Sequence, residues 1–344
     1  MSSRFFPAEW HPQDAIQFAW PHAQTDWVPW LDAAQSLYAE LVSEISHYQT
    51  VVLVCDPSLD SNEIKMLLNQ WQANLANLRF YSAPTNDTWA RDHAAISVLD
   101  NDQPLLLDFQ FNAWGSKFSA NHDNEISSAL AKQGAYAAPL KSLPLVLEGG
   151  SIESDGQGTL LTTSACLLNP NRNPELSKEQ IEQALKQELG VSRVLWLDHG
   201  HLAGDDTDSH IDTLARFISP SCIAYVQCQD PTDPHHCALS QMEAQLQGFT
   251  QANGQPYDLV ALPMPSPKLN AEGELLPATY ANFLITNEQI LVPTYQDSMD
   301  QVALNRLHQA MPDRQVKGID CSVLIEQFGS LHCISMQLIK GALA

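Results

Sequence analysis

The sequence predicts a mixed α/β fold in a single domain that covers residues 1–344. Short apolar runs rich in β-branched residues alternate with amphipathic stretches along the whole chain, which is typical of interleaved strands and helices. No Ser/Gly-rich linker divides the 344 residues, although the prolines between 263 and 277 indicate a long loop. Hydrophobic residues make up 44% of the chain, which is enough for a sizeable core.

The candidate strands are short runs dominated by apolar and β-branched residues. In chain order they are residues 50–55, 95–99, 105–109, 143–147, 160–163, 194–197, 223–226, 283–286, 290–292 and 332–339. Amphipathic periodicity predicts helices between several of these strands. The candidate helices are about residues 33–48, 61–71, 178–189, 207–218 and 300–311.

The clearest helix signal is that of residues 178–189. Ser177 and Gln180 have the spacing of a capping box, in which two side chains satisfy the free backbone N–H groups at a helix start. Ile181 and Leu185 share one face, and Gly190 follows the last periodic residue. Glycine at that position is typical of a helix end.

The charge of the chain is strongly negative. It has 17 Lys and Arg against 40 Asp and Glu, a formal net charge of −23. This charge repels phosphate backbones and anionic lipids, so it argues against nucleic acid and membranes as partners and favours cationic small molecules. We find no signal-peptide pattern and no apolar run of about 18 residues. We therefore expect a cytoplasmic protein.

The cysteines are scattered and odd in number. They are Cys55, Cys166, Cys222, Cys228, Cys237, Cys321 and Cys333. In a chain of this length without a CxxC pair, they are expected to be reduced and mostly buried thiols. Cys333 differs because a loop glycine, Gly329, precedes it and a polar Gln337 follows the apolar run. A buried strand cysteine is the alternative interpretation, and Cys55 and Cys166 have that plain core context.

Residues 199–212 contain seven His or Asp side chains within fourteen positions. One interpretation is a polar turn that caps a helix through Leu214 and Phe217. A second is a metal site, because histidine and carboxylates are metal ligands. A third is a base beside a substrate-binding carboxylate, since His210 and Asp212 would point the same way if the backbone is extended.

Two further acidic segments stand out. Glu148 ends an apolar strand and is followed by Gly149 and Gly150, which places its carboxylate at a strand end beside a tight turn. Catalytic groups are common at such positions. Asp92 follows Arg91 in a segment rich in polar side chains, and its alternative role is an ion pair or a helix cap.

Taken in order, the motifs resemble those of the agmatine deiminase family. This family belongs to the guanidine-modifying superfamily, with the peptidyl-arginine and arginine deiminases. The resemblance extends from about Pro7 to Gln337. The matching motifs are Pro7-Ala-Glu-Trp10, Ala19-Trp-Pro-His22, Asn-Asp-x-Trp-x-Arg-Asp at 86–92, Phe111-Asn-Ala-Trp-Gly115, Glu148-Gly-Gly150, Leu168-Asn-Pro-Asn-Arg-Asn-Pro174, residues 204–212, Tyr280-Ala-Asn282-Phe, Val292-Pro-x-Tyr295-x-Asp297-x-x-Asp300 and Leu331-His-Cys333.

The resemblance implies a fold and a set of roles. The fold is a pentein, with five ββαβ-like units around a pseudo-fivefold axis and the site in the central channel. Cys333 falls on the family's nucleophile, His210 on its general acid and base, and Glu148 on the acidic partner of that histidine. Asp92 and Asp212 fall on its guanidinium-binding aspartates. The implied substrate is a small cationic guanidine, with no metal and no cofactor, and the chain could form a homo-oligomer.

Three departures from the family pattern affect the pocket wall rather than these five residues. Ala94 and Ala95 replace a Gly-Pro pair, Gln327 and Phe328 replace two glycines, and Met336 replaces a glutamine.

The predicted reaction is hydrolysis of agmatine to N-carbamoylputrescine and ammonia. The alternatives are a deiminase for peptidyl-arginine or another guanidine, an amidino transferase, a metal hydrolase built on residues 199–212, and a non-catalytic module that binds polyamines.

Overall fold

Strands and helices interleave along the chain, as expected for an α/β protein. The computed structural model describes residues 4–344. Its strands are β1 Arg4–Phe5, β2 Gln13–Ala19, β3 Thr50–Cys55, β4 Leu78–Ser82, β5 Ile96–Asp100, β6 Gln103–Gln110, β7 Leu140–Val146, β8 Ile152–Ser154, β9 Thr159–Thr163, β10 Arg193–Leu197, β11 Ala215–Ser219, β12 Cys222–Gln227, β13 Asp258–Pro263, β14 Leu284–Ile285, β15 Gln289–Thr294, β16 Gln315–Asp320 and β17 Met336–Ile339. Its α-helices are α1 Leu31–Ser46, α2 Ser61–Gln70, α3 Ala90–His93, α4 Ala113–Ser116, α5 Ile126–Lys132, α6 Ser164–Leu167, α7 Lys178–Leu189, α8 His236–Gly248 and α9 Asp300–Ala310.

The strands of the described residues form five sheets. Their strand orders are β1-β5-β6-β7, β10-β9-β8, β11-β12-β13, β14-β15-β16 and β17-β2-β3-β4. In the second sheet, β8 and β9 are antiparallel, and β10 is parallel to β9 after a crossover through α7. A parallel pair requires such a crossover. The same order of two antiparallel strands, a helix and a parallel strand recurs in the third sheet with α8 and in the fourth with α9.

The two ends of the chain meet in the fifth sheet. Strand β17 pairs antiparallel with β2, and β2 pairs parallel with β3 after the crossover through α1. Strand β3 lies between two parallel neighbours, and Val51–Val54 are fully buried. A strand that is buried on both faces has a continuous apolar sequence, which is why residues 50–55 could be predicted as a strand.

The most specific helix prediction is also confirmed. Helix α7 spans Lys178–Leu189, and Ser177 and Gln180 form the capping box. Gly190 ends the helix with φ of 76°, a left-handed conformation that glycine adopts without a Cβ clash.

The predicted helix at residues 207–218 is wrong. Ile211–Thr213 form one 3₁₀ turn, and Ala215–Ser219 form β11, which pairs antiparallel with β12. Four successive residues, Leu214, Ala215, Arg216 and Phe217, are fully buried. An amphipathic helix buries only one face, whereas a strand inside the molecule buries both, and a short apolar run does not distinguish the two.

The predicted strand at residues 332–339 begins only at Met336. The N–H of His332 donates to the carbonyl of Asn282 at 3.2 Å, and the carbonyl of Cys333 accepts from the N–H of Arg91 at 3.0 Å. These backbone groups are used by loops from distant parts of the chain rather than by a strand ladder. Cys333 therefore lies in a turn ahead of β17.

The site described below is built directly on the core. The largest cluster of packed buried residues contains Trp89, Trp114 and Cys333 together with residues of β2, β3 and β15. No helix of residues 4–344 is both long and apolar enough to cross a membrane.

Candidate active site

Cys333 is buried and faces two oxygen atoms. Its Sγ lies 3.4 Å from Oδ1 of Asn282 and 3.9 Å from Oδ2 of Asp212. Burial raises the pKa of the Cys333 thiol well above its ordinary value, and the negative charges of Asp212 and Asp92 raise it further. The thiol is therefore protonated when no cation is bound beside it.

Asp92 lies in α3 and is held through both carboxylate oxygens. The N–H of Gly150 donates to Oδ1 at 2.9 Å, and the indole N–H of Trp114 donates to Oδ2 at 2.9 Å. Burial raises the pKa of Asp92 well above its usual range, and the nearby charges of Asp212 and Glu148 add to the effect. A cation in the site would reverse this tendency.

Asp212 lies in the 3₁₀ turn before β11 and is fully buried. Its Oδ2 lies 2.8 Å from Nδ1 of His332, whereas its Oδ1 has no hydrogen-bond partner among the described residues. Burial alone would raise the pKa of Asp212, but the hydrogen bond and charge of His332 outweigh it and lower the pKa. One oxygen of a charged carboxylate is thus available to a ligand.

His210 is the buried imidazole of the site. Its Nδ1 lies 3.6 Å from Oδ1 of Asp92, and its Nε2 has no hydrogen-bond partner among the described residues. Burial lowers the pKa of His210 to about 3, so the ring is neutral and can take up a proton. The hydroxyl of Thr207 accepts from the backbone N–H of His210 at 3.0 Å and fixes the turn that carries the ring.

Glu148 lies beside His210 but is bonded to a different group. Both of its oxygens accept from Nε of Arg172, at 2.9 and 3.0 Å. Glu148 and His210 each offer a ligand atom within 4.8 Å of the other and of Sγ of Cys166. Burial raises the pKa of Glu148, against the charge of Arg172. The two side chains are neighbours without a hydrogen bond between them.

Gly150 marks the point on which the polar side chains converge. A Cβ atom at this position would lie 2.7 Å from Nδ1 of His210, 2.8 Å from Oδ1 of Asp92 and 3.1 Å from Oδ2 of Asp212. Ordinary Cβ contacts are longer. Only glycine therefore allows these three side chains to come together.

A cavity with an acidic and aromatic wall lies next to this cluster. Its volume is about 370 Å³. Its lining includes Asp26, Asp87, Trp89, Trp114, Phe118, Asp206, Gln327 and Phe328. Trp114 lines the cavity and donates its indole N–H to Asp92, so this side chain lies between the cavity and the polar cluster.

Two of the three departures from the family pattern have a structural consequence here. Gln327 and Phe328 line the cavity, and Phe328 has a φ of 63°, in the left-handed region that favours the glycine it replaces. Sδ of Met336 accepts from Nη1 of Arg91 at 3.4 Å. Ala94 and Ala95 are buried and are not among the residues that line this cavity.

The structure brings together all five predicted site residues, and it adds others. His199 and His201 are exposed and stand apart from them. Asp205 stabilises a local turn, because it accepts from the N–H groups of Thr207 and Ser209.

Some contacts of the site were not predicted from the sequence. They are those of Arg172, Trp114, Asn282 and His332, although all four residues lie in motifs that match the family. Cys166, whose thiol lies beside Glu148 and His210, was also not predicted to be part of the site.

The comparisons with known proteins agree with one another. The family model of the Porphyromonas-type peptidyl-arginine deiminases matches residues 5–338. A Legionella pneumophila (strain Paris) protein named "Putative agmatine deiminase" is 35% identical over 341 residues, which are 98% of this chain and 96% of that protein. Among solved structures, one described as "Putative Arginine Deiminase from Porphyromonas gingivalis" superposes with a TM-score of 0.94, at 46% identity and over 99% of this chain and 100% of the other.

A second solved structure includes a substrate. It is a cysteine-to-serine variant of C. jejuni agmatine deiminase with substrate bound. It superposes with a TM-score of 0.91, at 38% identity, over 99% of this chain and 97% of that chain.

Proposed function

Since the chain belongs to the Porphyromonas-type peptidyl-arginine deiminase family, we propose that it hydrolyses the guanidinium of agmatine to N-carbamoylputrescine and ammonia. The observation that carries the proposal is the convergence of Asp92, His210 and Asp212 on Gly150, with the thiol of Cys333 beside Asp212. The five sheets support the finer fold proposal. In it, the chain is one pentein domain whose strand-strand-helix-strand units surround a pseudo-fivefold axis, with the site in the central channel.

Asp92 and Asp212 hold the guanidinium. This group is planar, positively charged and has N–H donors on several edges, so two carboxylates can orient it and balance its charge. The free Oδ1 of Asp212 accepts one of these donors. The bound cation also stabilises the charged form of Asp92, whose pKa is raised in the empty site.

Binding of the cation activates Cys333. The carboxylates that raise the pKa of the thiol are then neutralised, so the thiol can pass its proton to the neutral ring of His210. The thiolate attacks the central guanidinium carbon and forms the C–S bond. His210 gives the proton to the leaving nitrogen, the C–N bond breaks, and ammonia departs.

Hydrolysis of the covalent thiouronium completes the reaction. Neutral His210 takes a proton from water, whose oxygen attacks the same carbon. The C–S bond then breaks, protonated His210 returns its proton to the thiolate, and the hydroxyl proton on the former guanidinium carbon passes to solvent as the neutral ureido product is released. Glu148 stabilises His210 in its protonated form, because its carboxylate lies beside the ring. Arg172 holds that carboxylate in place through both of its oxygens.

The cavity wall favours agmatine over arginine and peptidyl-arginine. Agmatine ends in an ammonium group, whereas arginine carries an α-carboxylate. Asp87 and Asp206 line the cavity, and among the described residues no lysine or arginine does. Trp89 and Trp114 add aromatic faces that attract cations.

The test is a comparison of kcat/KM for agmatine, free arginine and an arginine-containing peptide. Ammonia and the ureido product are measured together, which separates hydrolysis from amidino transfer. We expect agmatine to have the highest value, by at least about tenfold. A ratio that favours arginine or the peptide would overturn the substrate proposal and leave the deiminase chemistry standing. No ammonia from any guanidine would overturn both.

A further inference from the structure

The ring of His332 bridges two buried carboxylates. Its Nδ1 lies 2.8 Å from Oδ2 of Asp212, and its Nε2 lies 2.7 Å from Oε2 of Glu9. The side chains of His332, Asp212 and Glu9 are 1%, 0% and 5% exposed. Each of these contacts needs a proton between nitrogen and oxygen. Both contacts are satisfied when the ring is an imidazolium between two carboxylates, which fits the lowered pKa values of Glu9 and Asp212.

Glu9 is a fixed anchor for this ring. Its Oε1 accepts from the backbone N–H of Ile285 at 2.6 Å. Its Oε2 also accepts from the guanidinium of Arg216, which in turn is bonded to Glu153. Burial alone would raise the pKa of Glu9, but the charges of Arg216 and His332 lower it. The far side of the His332 ring thus faces a charged and immobile carboxylate.

Hydrogen bonds to Asn282 and Arg91 also hold the backbone of His332 in place. The N–H of His332 donates to Oδ1 of Asn282 at 2.9 Å, and the carbonyl of His332 accepts from Nε of Arg91 at 3.4 Å. Burial lowers the pKa of His332, as do the charges of Arg216 and Arg91, while Glu9 and the bond to Asp212 oppose them.

We propose that His332, anchored by Glu9, is a positioning residue that fixes the carboxylate of Asp212 so that its Oδ1 faces the substrate guanidinium. The proposal rests on the proposed function. His332 occupies Oδ2 and leaves Oδ1 as the one unpartnered oxygen. The same contact draws the charge of Oδ2 toward the imidazole, and Oδ2 lies 3.9 Å from Sγ of Cys333. His332 therefore orients the carboxylate and sets the charge that it presents to the thiol.

Two substitutions separate the two sides of the ring. His332→Asn keeps an N–H donor near the position of Nδ1, which faces Asp212. His332→Gln keeps one near the position of Nε2, which faces Glu9, and loses the bond to Asp212. We expect kcat/KM for agmatine to fall at least about tenfold in His332→Gln and clearly less in His332→Asn.

A double-mutant cycle with Asp212→Asn shows whether the effect passes through that carboxylate. In the Asp212→Asn background, His332→Gln should cost no more than about twofold, because the group it would misplace is already altered. An equal cost in both backgrounds would overturn the proposal, as would wild-type kinetics in His332→Gln. If His332→Gln does not fold, the same cycle is run with His332→Asn, for which any loss should again vanish beside Asp212→Asn.

A second measurement needs no substrate. The rate at which iodoacetamide alkylates Cys333 is followed against pH by mass spectrometry of its peptide. We expect the midpoint of the curve to shift in His332→Gln relative to the wild-type protein, because the loss of the imidazole changes the charge that Asp212 presents to the thiol. An unchanged midpoint would overturn the inference. If the wild-type protein released no ammonia from agmatine, the proposed function would fail while this measurement still decided the role of His332.

Discussion

Oδ1 of Asp92 accepts a hydrogen bond from the backbone N–H of Gly150 at 2.9 Å, so the turn after β7 holds this carboxylate directly. The same turn leaves room for His210 and Asp212 only because position 150 has no side chain. Backbone and side chains of the site thus depend on one another at this glycine.

We expect Gly150→Ala to reduce kcat/KM for agmatine at least about a hundredfold. The added methyl would lie within 3.1 Å of atoms of His210, Asp92 and Asp212, and would displace them from the guanidinium. Gly248→Ala is the matched control, because this glycine ends α8 and an added Cβ meets nothing within 4 Å. The control should keep wild-type kinetics and gain up to about 1 kcal/mol of stability. Wild-type kinetics in Gly150→Ala would show that the polar cluster does not bind the substrate.

Asp92→Asn should remove activity, and its stability relative to the wild-type protein should increase as the pH rises. We expect kcat/KM to fall at least about a hundredfold, which is about 2.7 kcal/mol of transition-state stabilisation. The pKa of Asp92 is raised by burial and by Asp212 and Glu148, so the folded state resists its ionisation. Ionisation in the unfolded chain therefore costs stability as the pH rises above the ordinary carboxyl pKa. The melting temperature of Asp92→Asn minus that of the wild-type protein should therefore be higher at pH 7 than at pH 4.

Asp212→Asn should also lose at least about a hundredfold in kcat/KM, but its relative stability should have the opposite pH dependence. The pKa of Asp212 is lowered through its contact with His332, so its charge stabilises the fold at neutral pH and this contribution is lost as the pH falls. The variant should melt below the wild-type protein at pH 7. If both variants melted alike and kept wild-type kinetics, the two carboxylates would be structural groups rather than substrate ligands.

Metal removal should leave the activity unchanged. Two groups of three ligand atoms lie within 4.8 Å of one another in the described chain, namely Glu148, Cys166 and His210, and Glu9, Glu153 and His332. Arg172 already bonds to Glu148, and Arg216 to Glu9 and Glu153, so a metal ion would have to compete with a bound cation in each group. Dialysis against EDTA followed by assay with agmatine checks this. Loss of activity that returns on adding zinc or manganese would favour the metal hydrolase instead.

The elements that could be predicted are those whose local pattern has a single explanation. Strand β3 is buried between two parallel strands, and α7 carries both of its end signals. Some of the strands that escaped prediction contain several polar residues. Strand β16 lies at a sheet edge with several exposed residues, and β2 contains the polar residues Gln13, Asp14 and Gln17, of which the two glutamines are buried. The apolar periodicity of these two strands is weak because their polar side chains form hydrogen bonds or face solvent.

The sequence indicated the residues of the candidate site but not the contacts that connect them. Motifs indicated Asp92, Glu148, His210, Asp212 and Cys333, and the structure places them together. The roles of their partners depend on contacts between distant segments. His332 lies 120 residues from Asp212 and 323 from Glu9, and no local pattern predicts either contact. The same is true of Arg172, which lies in one of the matching motifs and whose bond to Glu148 no local pattern predicts.

Cys333→Ser should remove nearly all turnover while the protein stays folded, because a hydroxyl is a far weaker nucleophile than a thiolate and has nearly the same size. Cys55→Ala is the control: Cys55 lies in the core at the end of β3, and burial raises its pKa to about 12. This control should lose about 1 kcal/mol of stability to a small cavity and keep its kcat. A Cys333→Ser variant that kept a tenth of the wild-type rate would rule out covalent catalysis.

The most direct test of covalent catalysis is to trap the intermediate. The protein is mixed with agmatine, quenched in acid during turnover and digested, and the mass of the Cys333 peptide is measured. The account predicts an adduct on Cys333 with the mass of agmatine less one ammonia, present during turnover and absent once the substrate is exhausted. Steady formation of N-carbamoylputrescine with Cys333 unmodified, or with the adduct on another cysteine, would contradict it.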